Sequence, residues 1–443
     1  MRRVLALLAS LAVTAGLTVV AVAPAGGSTK NNAAILAYGG VPVLAAPSSA
    51  GTFRVTGTGR SALALDDATM QDLATYAKQS GRDLSGVVAA HQGIHEFSAY
   101  TAQLEETRPD IFVRAGLATA GGAAGHWIQF TAKPSTDIVA DLERLPVNTE
   151  VQYGAPASFK ELEDLAYALT SSLAARPDVI RSAGTRYDHE RRVLRLQYAL
   201  AEGTQRNTLD SVFQDALNAG TIGGQLPIEV VPELDVDLAG VTEATVQGGR
   251  DLYLASNGDP ECTAGFTVRR YGNAGVLTAR HCANALKYGP TSGIISTSPG
   301  QTPNDAIDLQ FHRTLTENGH STNRQFRATG RSESGDRTVA AVANAPNGSA
   351  VCHWGRVSTY RCSNITAINE CRTYTDGMTR CGLDITEADV SDCGDSGGPW
   401  FLGNTARGIH QGANGQCGGV GTHSILTRIS RVQRHLDATV LQN

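Results

Sequence analysis

No cysteine precedes Cys262, yet eight lie between that position and Cys417. The first 261 residues must therefore fold without a covalent brace, whereas the remainder can be stapled. An excess of either charge is lacking too: Lys+Arg 37 against Asp+Glu 42 leaves −5. Without a basic surplus, nucleic acid is not an expected partner. Apolar residues make up 41% of the chain, which excludes disorder throughout, and 443 residues exceed the usual size of one domain. No Cys-x-x-Cys pair occurs, so the cysteines, including the one in His281-Cys282, lack the paired spacing of a zinc site.

The N-terminus does hold an apolar run. Met1-Arg2-Arg3 leads into residues 4–22, and Ala23-Pro24-Ala25 has the small-x-small pattern of a cleavage site. A signal peptide over 1–25, cut after Ala25, is expected, with an uncleaved anchor as the alternative. No later stretch is apolar and long enough to cross a bilayer. The chain is thus expected to be secreted, to contact no membrane after signal removal, and to form disulfides in an oxidising space.

Residues 26–60, rich in Gly, Ala, Ser and Thr, read as a flexible lead-in. From Asp66 the apolar spacing of Met70, Leu73 and Ala77 predicts a helix stopped at Gly81. Ser158 and Glu161 form a capping box ahead of Leu162, Leu165, Leu169 and Leu173. Residues 179–187 and 193–198 flank a polar turn and predict a hairpin, followed by a helix over Leu209–Leu217 and a strand over Ile228–Val231. This α+β unit, 61–243, offers no catalytic constellation. An acidic stretch from Glu229 to Glu243 then marks a boundary. From 244 to 443 short β-branched runs are punctuated by Gly, Asn and Ser, the pattern of an all-β domain.

The chemistry is concentrated there. Gly394-Asp395-Ser396-Gly397-Gly398 surrounds a serine with glycines that permit a tight turn and close substrate approach. The N–H groups of Gly394 and Ser396 are candidates for an oxyanion hole. An α/β-hydrolase elbow would require an acid and then a histidine after the serine. Only Asp437 follows, with no histidine after it. The partners therefore lie upstream. His281 closes an apolar strand beside Cys282. Asp308 precedes Leu309 and Phe311 in core-compatible alternation, with Asp305 held in reserve. The order His281, Asp308, Ser396 matches one of the known chain orders of the Ser-His-Asp template.

Cys262-Thr-Ala-Gly-Phe266, Thr278-Ala-Arg-His-Cys282 and Gly394-Asp-Ser-Gly-Gly398 together resemble the chymotrypsin-like serine endopeptidases, in the secreted bacterial branch of alpha-lytic protease and the streptogrisins. The likeness covers residues 244–443. It implies two packed six-stranded antiparallel β-barrels with the active site between them, and makes residues 26–243 a pro-segment that assists folding and inhibits before removal. It further implies bridges Cys262–Cys282, Cys352–Cys362 and Cys393–Cys417, leaving Cys371 with Cys381. The expected activity is hydrolysis of protein or peptide substrates through an acyl-enzyme, by a monomer needing neither metal nor organic cofactor.

Several positions depart from the family pattern. Arg280 puts a bulky charge beside the base. His353 stands where an arginine often pairs with the aspartate equivalent to Asp395, and Arg356 is a substitute candidate. In the specificity pocket, His410, Gln411 and Gly412 resemble the segment that gives glutamyl endopeptidases a histidine for a substrate carboxylate; the facing wall, Asp389 to Cys393, includes Ser391. Acidic preference is one expectation from this. A protease-like binding protein without turnover is the competing function. His312, His320, His423 and His435 are expected to be solvated or satisfied at the surface.

Overall fold

The computed structural model describes residues 50–442 apart from 61–64, 118–124, 189–192, 202–203, 205–211, 213–227, 233–245, 289–299, 302–306, 315–320, 331–334, 375–376 and 415–420. The expected signal peptide, the boundary at 243/244 and most of the Leu209–Leu217 helix lie outside the described residues.

Local signals act as the sequence suggests. Helix α1 (Asp67–Ser80) begins where Asp66 accepts the Thr69 N–H and ends at Gly81 in the left-handed region, φ 68°. It is followed by α2 (Leu84–Ala90), α3 (Ile94–Thr107) and α4 (Thr136–Arg144). Helix α5 (Phe159–Ala174) carries the complete Ser158/Glu161 capping box, and its Leu162, Leu165, Leu169 and Leu173 are buried.

The first half contains a four-stranded sheet in the order Gly51–Val55, Thr149–Tyr153, His126–Phe130, Phe112–Leu117. The expectation of a flexible lead-in to residue 60 fails here. Gly51–Val55 pairs antiparallel with Thr149–Tyr153, because Phe53 and Val55 find an apolar surface made by α3 and α4. That surface is assembled from segments far away in the chain.

From Val246 onward the described elements are strands, with one further helix, α6 (Ser430–Leu436). Asn273–Thr278 pairs with Gln310–Arg313 and with Thr267–Arg270, which in turn pairs with Ala438–Val440. In the larger sheet Ala350–Gly355, Pro399–Leu402, Thr405–Ala413, Ser424–Arg428, Thr379–Thr386 and Thr359–Thr373 follow one another as neighbours. Because Ala350–Gly355 also pairs with Thr359–Thr373, the ladder returns on itself.

The predicted hairpin forms as Ile180–Asp188 and Val193–Leu200, and it does not stay within its own half. Ile180–Asp188 pairs with the outer edge of Thr359–Thr373, Thr185 opposite Cys371 and Gly184 opposite Arg372. Apolar packing also crosses between the halves. Leu73, Tyr76, Ala77 and Ile94 share a core with Cys352, Cys362, Phe401 and Leu402.

His312 overturns its surface expectation. It lies in Gln310–Arg313, a strand with Gln310 and His312 on one face and Phe311 on the other, all buried. Both faces are buried, so its polar character does not bring it to solvent. His423, by contrast, is partly exposed and bonded through Nδ1 to Thr386 O at 2.8 Å, and His320 lies outside the described residues.

Candidate active site

The register of one strand pair positions the acid and the base. Thr278 lies opposite Gln310 and Leu277 opposite Phe311, so Asp308, two residues before Gln310, arrives beside His281, three residues after Thr278. Leu277, Leu309 and Phe311 hold the pair on the core side. The Gln310 amide then fixes the turn, donating to Ala279 O and Cys282 O, each at 3.0 Å. A disulfide from Cys282 to Cys262 ties the same turn to the neighbouring sheet.

Asp308 is fully buried. Its Oδ2 lies 2.7 Å from His281 Nδ1 and its Oδ1 accepts the His281 backbone N–H at 3.0 Å. A carboxylate only accepts, so Nδ1 carries the proton and Nε2 keeps its lone pair. Burial pushes the carboxyl up, but the contacts with His281, together with Arg380, hold it below its ordinary value. Asp305, the reserve acid, lies outside the described residues.

Ser396 comes from the turn before Pro399–Leu402. Thr263 fastens this turn to the His281 side: its N–H donates to Ser396 O at 2.7 Å and its hydroxyl to Gly394 O at 2.8 Å. Thr278 Oγ1 in turn donates to Thr263 O at 3.0 Å. Gly397 has φ +86°, and a Cβ there would lie 2.0 Å from Thr278 Oγ1 and 2.3 Å from Thr263 O. A side chain at 397 would push the serine turn off the histidine turn. Neither Ser396 Oγ nor His281 Nε2 has a hydrogen-bond partner among the described residues, although both atoms are buried.

Behind the serine, Asp395 is fully buried and accepts N–H groups from Val357 at 2.8 Å and Asp392 at 2.9 Å. His353 Nε2 lies 3.6 Å from its Oδ2. Burial pushes the Asp395 carboxyl up, but the His353 and Ser358 contacts outweigh this and lower it to about 2. Arg356 does not take the place of the family's arginine beside Asp395. It reaches toward Asp251, 4.0 Å away, because residues 357 and 358 turn their backbone to Asp395.

Of the expected pocket residues, His410 is buried between His353, with ring centroids 4.7 Å apart, and Trp400, whose Nε1–H points at His410 Nδ1 across 3.3 Å. Indole nitrogen only donates, so His410 carries its proton on Nε2. Burial first, then His353, disfavours its charged form. Gln411 turns back, donating to Ile409 O at 3.2 Å, and Gly412 sits at the bulge between strands. Ser391 Oγ lies 2.9 Å from both Asp389 Oδ1 and Ser424 Oγ.

The disulfides Cys262–Cys282, Cys352–Cys362 and Cys371–Cys381 are present. Cys393 is also disulfide-bonded, and Cys417 lies outside the described residues. Cys262, His281 and Cys282 approach one another closely enough for a metal, but the two sulfurs are joined and supply no thiolate.

Arg380 was not foreseen from the sequence. It is buried, its Nε lies 3.8 Å from Asp308 Oδ1, and its guanidinium sits 4.4 Å from the centre of the Tyr374 ring. The Tyr374 ring centre is in turn 6.5 Å from that of His281. The available signal was a charge beside Cys381 in a strand expected to be apolar inside.

No protein-family profile matches the chain. Serine protease 2 of Streptomyces fradiae is 30% identical over 183 residues, covering 40% of this chain and 99% of that protein. Streptogrisin-C of Streptomyces griseus is 31% identical over 180 residues, 40% of this chain and 37% of the relative. Glutamyl endopeptidase 2 of the same organism is 29% identical over 196 residues, 40% and 90%. The chain belongs to this family of bacterial chymotrypsin-like serine proteases. It spans 37% of the length of streptogrisin-C and 52% of that of Serine protease 1 of S. fradiae. Among solved structures, a glutamic-acid-specific serine protease described as using a histidine triad in substrate binding gives a TM-score of 0.38 at 25% identity, over 44% of this chain and 100% of that one. Nocardiopsis protease gives 0.37 at 25%, over 45% and 100%.

Proposed function

We propose that the chain is a secreted serine endopeptidase made as a pre-pro-protein, with residues 244–443 as a two-barrel catalytic unit and His281, Asp308 and Ser396 as its triad. The His281–Asp308 contact at 2.7 Å, with the lone pair left on Nε2, carries this reading. Ser396 Oγ attacks a peptide carbonyl while His281 Nε2 takes its proton, and Asp308 stabilises the imidazolium. The N–H groups of Gly394 and Ser396 face the developing oxyanion. The imidazolium returns the proton to the leaving amine. Water then hydrolyses the acyl-enzyme by the same steps reversed.

For the primary pocket, the Nε2–H tautomer of His410 supports a hydrogen bond to an acidic substrate side chain, in line with the glutamyl endopeptidase relative. A neutral donor reads carboxylate and amide alike. Cleavage after both Glu and Gln is therefore expected in a peptide library, and absence of both removes the His410 reading.

A fluorophosphonate that labels activated serines tests the main proposal. Labelling of the processed wild-type protein, and none of a Ser396→Ala variant, is expected. Equal labelling of the two, or none of either, leaves a protease-like binding protein.

A further inference from the structure

Asp72 lies in α1, in the half of the chain that carries no triad residue, and it is fully buried. Among the described residues, the four donors that reach its carboxylate all come from the other half. Arg337 Nη1 and Nη2 approach Oδ2 and Oδ1 at 2.9 and 3.0 Å as a two-pronged fork. The Tyr360 hydroxyl donates to Oδ1 at 2.5 Å and the Gly403 N–H to Oδ2 at 2.6 Å. The cradle is itself fixed. Arg337 also donates to Gly403 O at 3.1 Å and lies 5.5 Å from the centre of the Phe401 ring, against which Tyr360 is stacked. Planar, charged at one end and furnished with four donors, it matches a carboxylate and leaves an amide with a donor facing donors.

We propose that Arg337, Tyr360 and the Gly403 N–H form a carboxylate-binding docking site on the catalytic unit, and that Asp72 is the anchor by which the N-terminal unit holds it. The inference rests on reading residues 61–243 as a segment that is cut from the catalytic unit. Around the anchor, Leu73, Tyr76 and Ala77 pack on the Cys352–Cys362 hairpin and exclude water, and Gln79 Oε1 accepts the Cys362 N–H at 2.8 Å. A charge pair sealed in this way is where an interface concentrates its sensitivity to truncation. Exposed pairs such as Arg82–Glu387 at its rim contribute little. After cutting, the cradle remains as a receptor for one acidic side chain, first of all that of the departing segment.

The test uses the full chain with Ser396→Ala and a recognition sequence for a foreign protease placed within residues 233–245. The chain is folded intact, then cut, and the dissociation rate of the two pieces is followed by size-exclusion chromatography. With no cysteine before Cys262, no disulfide joins them. Asp72→Asn is expected to speed dissociation about a hundredfold to a thousandfold, because it strands the Arg337 cation. Asp67→Asn, at an exposed position of the same helix, is expected to stay within about threefold of the parent. A rate for Asp72→Asn within threefold of the parent overturns the anchor. Should that variant not accumulate, Tyr360→Phe, which removes one donor and no charge, is expected to speed dissociation about tenfold, and an unchanged rate overturns the anchor equally. If the parent pieces separate at once, it is the pro-segment reading that fails.

Discussion

Replacing Arg380 with methionine keeps the bulk over Tyr374 and removes a cation 3.8 Å from Asp308 Oδ1. At an effective dielectric constant of about 20, opposite unit charges at that separation attract by about 4 kcal/mol, a ceiling of about three pH units on the proton affinity of the carboxylate. Arg380 disfavours a proton on Asp308, so its removal makes the coupled pair easier to protonate. Relaxation and residual solvation screen the pair, so about a third of the ceiling, some 1 pH unit, is expected in the coupled titration. The acid limb of kcat/KM is therefore expected to move up by about 1 unit in Arg380→Met. Activity would fall about tenfold below neutrality and stay within about threefold near pH 9. Steady-state assays of active-site-titrated enzyme from pH 5 to 9 measure this, with Arg380→Lys as the variant that restores the limb. A loss of equal size at every pH, or a limb that does not move, refutes the electrostatic role and leaves Arg380 as packing.

Four further outcomes are expected. Ser158→Ala removes one side of the capping box of α5 and should lower the stability of the Ser396→Ala full chain by about 1 kcal/mol, read from its urea midpoint. Burial holds His91 and His95 at about 4 against 6.5, and His91 Nε2 accepts the Ala350 N–H at 2.8 Å, which a protonated ring cannot do. The folded state thus binds fewer protons there, and the stability present above pH 6.5 is lost as pH falls from 6.5 through 4, by about 3 kcal/mol per ring. Urea titrations across that window should show the loss, and His91→Gln should remove about half of it. The Asp395 carboxyl, lowered to about 2, contributes stability above pH 3.8 that is lost only as pH falls through 2; His353→Leu should bring that loss to higher pH, seen as earlier acid inactivation. Finally, Gly397→Ala should reduce phosphonate labelling at least a hundredfold, since its Cβ would overlap Thr278 Oγ1.

What the sequence disclosed was local or was written in motifs. Asp66, Gly81 and the Ser158/Glu161 pair mark helix ends through contacts three or four residues away. The hairpin at 180–200 follows from alternation. Asp308 could be preferred over Asp305 because Leu309 and Phe311 fit a strand facing the core, and the structure places Asp308 against His281. Contacts between distant segments stayed hidden. Gly51–Val55 becomes a strand only because Thr149–Tyr153 borders it. Arg380 and Asp72 look like ordinary charges until their partners, Asp308 and Arg337, are brought alongside. His312 was misjudged for the same reason, since burial on both faces of a strand leaves no polar rhythm to read.

The pairing of Ile180–Asp188 with Thr359–Thr373 also bears on how the molecule behaves in company. A strand rim with open donors and acceptors invites identical chains to stack upon it. In the intact chain Ile180–Asp188 occupies that rim. If the proposed removal of that unit takes place, the rim is bared in a sheet whose strands are by then cross-linked at Cys352–Cys362 and Cys371–Cys381.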